Sequence, residues 1–245
     1  MFALRPKLPV TATQQEWIEG SFDRLIELFG SERVRNAPLV LPNEQFFPRK
    51  WEQTEEWARY AFDRVCEIME VERSRVDLEF IEDPWAHLRR NGVPLGSTHG
   101  AAGTHQQIEV EGGPDRALIS LKDSLIAEPE KMVATMSHEL AHVLLLGDRK
   151  IARDMDRMEP FTDLTTVFCG FGVFTANAAF VFNGRLHGWQ QSNLGYLSQR
   201  EFAYALARFA WERGERNPAW TQELTTNVRH FMRAALSCFK ASGRA

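Results

Sequence analysis

Residues 129–147, "PEKMVATMSHELAHVLLLG", set the strongest constraint on the fold. Pro129 suits the first turn of a helix and Gly147 suits its end. Between them Met132, Val133, Met136, Leu140 and Val143 to Leu146 occupy more than one helical face. A helix that is apolar nearly all round has to be covered on several sides. The same segment carries His138, Glu139 and His142. Polar groups placed in such a helix need partners, because an unpaired buried imidazole or carboxylate is costly.

The rest of the chain supplies the cover. Trp17, Ile18, Phe22, Leu25, Ile26 and Phe29 have helical spacing over 14–30, ended by Gly30. A loop with Pro38, Pro42 and Pro48 follows, and "TEEWARYAFDRVCEIMEV" reads as a second amphipathic helix with Thr54 as its cap. The period then changes. Residues 75–82, 105–112 and 116–122 alternate as strands do. Gly112-Gly113-Pro114-Asp115 predicts a hairpin between the last two. "NGVPLGSTHGAAGTH" reads as a glycine-rich loop bordered by His99 and His105, taken as ordinary surface or core histidines although a loop beside an edge strand can approach substrate. Beyond Pro129 helices dominate. One begins near Glu159 or Phe161 and runs through the uncharged stretch 164–184. Another follows Ser198, whose spacing to Glu201 is that of a capping box, and a last one opens at Pro218 and Thr221. The expected class is α+β, a small antiparallel sheet followed by a mainly helical half. It forms one domain over 1–245, with helices and sheet in 1–126 and the metal motifs in 127–245.

A formal net charge of −4, with both signs interspersed, gives no electrostatic case for nucleic acid as partner. Three cysteines far apart, Cys66, Cys169 and Cys238, form neither a disulfide framework nor a metal knuckle and read as buried free thiols. With no apolar leader at the N-terminus, the expected location is the cytoplasm. The stretch 164–184 is long enough to span a bilayer, but Thr165, Thr166, Thr175, Asn177, Gly170 and Gly172 make a buried core helix the better reading. Its phenylalanines are core, and no membrane partner is expected.

Chemistry enters at His138-Glu139-Leu140-Ala141-His142. Residues i and i+4 on a helix differ by about 40° and about 6 Å of rise, so both imidazoles can meet one ion. Glu139 stands about 100° round from His138, near enough to serve a metal-bound water without being a ligand. Downstream, "MEPFTDL" holds Glu159 and Asp163, again i and i+4. One of them can ligate and the other can hold the far nitrogen of a ligating histidine. Asp154 and Asp156, between the motifs, read as solvated loop residues.

The two motifs together, His-Glu-x-x-His and, sixteen residues on, Glu-x-x-x-Asp, resemble the gluzincin pattern of zinc metallopeptidases. "GYLSQREFAYALARFAW" also resembles a segment of bacterial zincin-like proteins. The resemblance implies a zincin-like fold and Zn²⁺ held by His138, His142 and Glu159. It further implies Asp163 as the carboxylate orienting a histidine, Glu139 as general base, and a peptide or protein as substrate. It assigns no oxyanion stabiliser; Tyr204, Tyr196 and His187 are the candidates. Two rivals remain: a hydrolase of small amides, and a non-catalytic zinc protein that binds a partner. An intact Glu139 disfavours the latter, since structural zinc needs no base and usually has its fourth position closed by cysteine.

Overall fold

The computed structural model describes residues 7–83, 102–108, 116–147, 150–152, 154–183 and 196–244. In chain order the elements are α1 (Ala12–Phe29), α2 (Ser31–Asn36), α3 (Glu55–Met69), β1 (Val76–Ile81), β2 (Gly103–Ile108), β3 (Arg116–Lys122), α4 (Pro129–Leu146), α5 (Met158–Phe168), α6 (Gly172–Asn183), α7 (Gln199–Glu212) and α8 (Thr226–Ala241). The class is α+β, with a small sheet and mostly helical content. The elements gather into two compact units: Leu41–Asp156 with Val181–Asn193, and Met1–Val40 with Arg157–Phe180 and Leu194–Ala245.

The first unit holds the sheet, α3 and α4. β3 is central, antiparallel to β2 and parallel to β1. The β2–β3 pairing expected of a hairpin is present, with His105 opposite Ile119 and Gly103 opposite Leu121. The sheet as a whole is mixed, which corrects the antiparallel expectation. Val76 stands opposite Ala117, and Ile81 opposite Lys122, in parallel register. Alternation of apolar residues marks a strand but carries no direction. The long connection between β1 and β3, which contains β2, is what permits a parallel pair. Along β3 Ala117, Ile119 and Leu121 are buried. α4 packs on β2, β3 and α3.

The second unit is helical. α1 packs on α5 and α7, and α7 on α8. Phe22, Phe161, Phe168 and Phe209 are fully buried, with Phe22 edge-on to Phe168 at 5.6 Å between ring centres. Ser198 and Glu201 form the expected capping box: the Ser198 hydroxyl accepts from the Glu201 N–H at 3.4 Å, and the Glu201 carboxylate accepts from the Ser198 N–H at 2.9 Å. The uncharged stretch is not one helix. It breaks into α5 and α6 at Gly170, where φ is +91°. A β-carbon there would lie 1.9 Å from the Pro38 carbonyl oxygen, and the Gly170 carbonyl accepts the Val40 N–H at 2.9 Å. No helix among the described residues is long and apolar enough to cross a membrane.

Candidate metal centre

α4 carries the motif as its sequence requires. Pro129 sits in the first turn, and both histidines fall among buried neighbours. His138 is 8%, Glu139 5% and His142 4% exposed. The two rings lie 4.9 Å apart at 81°. One turn of helix thus presents two imidazoles to the same region, with the Glu139 carboxylate beside them. Two imidazole nitrogens, shielded from water, are donors of the kind zinc takes, and the carboxylate beside them can serve a bound water.

The sheet brings a third histidine to α4. His105, on β2, stacks on His142 with ring centres 4.4 Å apart and planes 13° from parallel. Its Nδ1 is 3.7 Å from Glu139 Oε2. Gly103 allows this approach. A β-carbon at 103 would meet Thr135 Cγ2 at 2.7 Å, Leu121 Cδ2 at 2.8 Å and Glu139 Cγ at 3.2 Å. Successive alternate residues of a strand share a face, so residue 105 points the same way as residue 103. The glycine lets β2 lie close over Glu139, and His105 then falls over the next turn of the helix, at His142. The sequence offers His105 as the border of a glycine-rich loop and the first residue of an alternating strand, with no metal role. The available signal was its place two residues after a glycine at the start of an alternating run.

The downstream motif belongs to the helical unit. Glu159 lies in the first turn of α5 and is half-buried. An acidic residue there is favoured by the helix dipole. Asp163 is 4% exposed, and its Oδ2 accepts the Leu197 N–H at 2.9 Å. Asp154 and Asp156 are exposed, as a solvated loop requires.

The candidate oxyanion residues differ in setting. Tyr196 is 49% exposed. Tyr204 is fully buried and its hydroxyl donates to Glu19 Oε1 at 2.5 Å. Burial, reinforced by the Glu19 carboxylate, pushes its ionisation well above the ordinary phenol range, so it remains a donor. His187 and His99 lie outside the described residues. Cys66, Cys169 and Cys238 form no disulfide. Burial pushes the Cys66 thiol up to about 12, which leaves it unreactive at neutral pH.

Comparison of the chain with models of known protein families, with curated proteins and with solved structures gives no match.

Proposed function

We propose that the chain is a zinc-dependent hydrolase, a zincin-like metallopeptidase acting in the cytoplasm. His138, His142 and Glu159 hold the ion, and Asp163 orients a ligating histidine. The observation that carries this reading is the buried His138–Glu139–His142 turn of α4, with β2 laid across it. Sixteen residues separate His142 from Glu159, the spacing of the motif pair on which the resemblance rests. Three cysteines without a disulfide fit a reducing compartment.

Zinc, when bound, lowers the pKa of a coordinated water and polarises a carbonyl. The chain's own residues do the rest. Glu139 accepts the proton of the attacking water and delivers it to the leaving nitrogen. Its burial at 5% exposure keeps bulk water from competing for that proton. β2 has β3 as its one partner among the described residues, so its other edge can pair with an extended peptide. That edge favours a peptide over a small amide as substrate.

Glu139→Gln tests the proposal, because it keeps shape and removes the base. The variant is expected to fold, retain one zinc and lose about 10²–10⁴-fold in turnover of a responsive peptide. Zinc is counted by elemental analysis alongside the activity. Equal rates in wild type and variant, with zinc retained, overturn the mechanism. Zinc binding without hydrolysis across a broad peptide library favours the non-catalytic binding protein.

A further inference from the structure

We infer that His105, Glu139 and His142 form a cation seat of their own, distinct from the His138–His142–Glu159 set and sharing only His142 with it. This rests on the proposal that the α4 histidines take a divalent cation.

Each of the three side chains offers a ligand atom, and these atoms lie within 4.8 Å of one another. In a tetrahedral zinc shell with bonds of about 2.0–2.2 Å, ligand atoms stand roughly 3.3–3.6 Å apart. Small rotations therefore close the site. The needed motion is specific. Parallel rings send their nitrogen lone pairs side by side, so the 13° stack of His105 on His142 must open for both to face one ion. His105 has the room, since its side chain is 21% exposed against 7% for that of Glu139. All three residues belong to the compact unit Leu41–Asp156, so the seat is complete without Glu159. The Gly103 approach positions the strand for it. Any side chain at 103 would collide with Thr135 and Leu121 and lift His105 away.

The seat differs chemically from the hydrolytic set. An ion held here takes Glu139 as a ligand, and a carboxylate bound to a cation is a much weaker base toward water than a free one. The trio thus holds the ion in a form that hydrolyses poorly. Because His142 serves both sets, one ion occupies one seat at a time.

The test uses zinc alone and the full chain, with affinity measured by competition against a chromophoric chelator. Glu159→Ala is expected to keep one zinc at reduced affinity. Adding His105→Ala to Glu159→Ala should weaken binding by at least about tenfold further, in line with what zinc-site partners contribute. Zinc added to ¹⁵N-histidine-labelled Glu159→Ala protein should shift the His105 ring nitrogens, a readout that survives if the double variant folds poorly. Absence of zinc from Glu159→Ala, equal affinity with and without His105, or an unmoved His105 signal each overturns the seat and leaves the hydrolase proposal standing. Absence of zinc from the wild type overturns both.

Discussion

Gly103 and Gly170 are both glycines for lack of space, but the spaces differ in hardness. At 170 the obstruction is backbone, the Pro38 carbonyl, and φ is +91°. Gly170→Ala is therefore expected to destabilise the helical unit by about 1–3 kcal/mol or more, read as a lower urea midpoint, since both the backbone conformation and the collision act against it. At 103 the obstructions are side chains that can shift, so an alanine there displaces β2 rather than breaking the fold. Asp163 gives a prediction about the site. Asparagine keeps an oxygen to accept the Leu197 N–H, so Asp163→Asn should fold normally. If Asp163 orients a ligand as proposed, zinc affinity falls by about 10–100-fold, measured by chelator competition. At this scale His138, Glu139, His142, Glu159 and Asp163 were legible as candidates because spacing on a helix is a local property. His105 was not, because its role comes from a strand laid on a helix far along the chain.

Most helix boundaries were legible in the sequence, but the short α2 was not, and α8 starts at Thr226, after a 3₁₀ turn over Ala219–Glu223, and not at Pro218 and Thr221. Thr54 accepts the Trp57 N–H at 3.1 Å, and Gly30 ends α1 with φ +87°. Such signals work because a cap satisfies backbone groups within its own turn. Ser198→Ala should accordingly lose about 1 kcal/mol of stability in thermal or denaturant melts, with little change of helix content. The uncharged stretch misled for the opposite reason. Its hydrophobicity fits a single helix, and nothing within it announces that Gly170 must accommodate residues 38–40. Strand direction in the sheet was hidden in the same way: β1 alternates identically whichever way β3 runs beside it.

On the scale of the molecule, the helical unit is tied together by a partly buried charge network around Glu19. Its carboxylate accepts from Tyr204 and, through both oxygens, from Arg244 at 2.5 Å, and it forms an ion pair with Arg208, whose Nε lies 2.9 Å from Oε2. Burial alone would raise its pKa, but the Arg244 and Tyr204 hydrogen bonds and the Arg244 and Arg208 charges outweigh that and hold it below the ordinary 4.5. A carboxylate depressed in the folded state stabilises above its unfolded value and loses that contribution as pH falls through the folded one. The stability difference between wild type and Glu19→Gln, measured by urea unfolding, should be greatest at neutral pH and shrink as pH drops below 4.5. The sequence by itself determined most of the helices, the caps at Thr54 and Ser198, the β2–β3 pairing and the histidine pair of α4. All of these follow from periodicity and from contacts within a few residues. Only the tertiary structure decided the parallel β1–β3 register, the break at Gly170, the Glu19 network and the stack of His105 on His142. Each joins segments remote in the chain, where the outcome turns on steric fit and shared burial that no local pattern encodes.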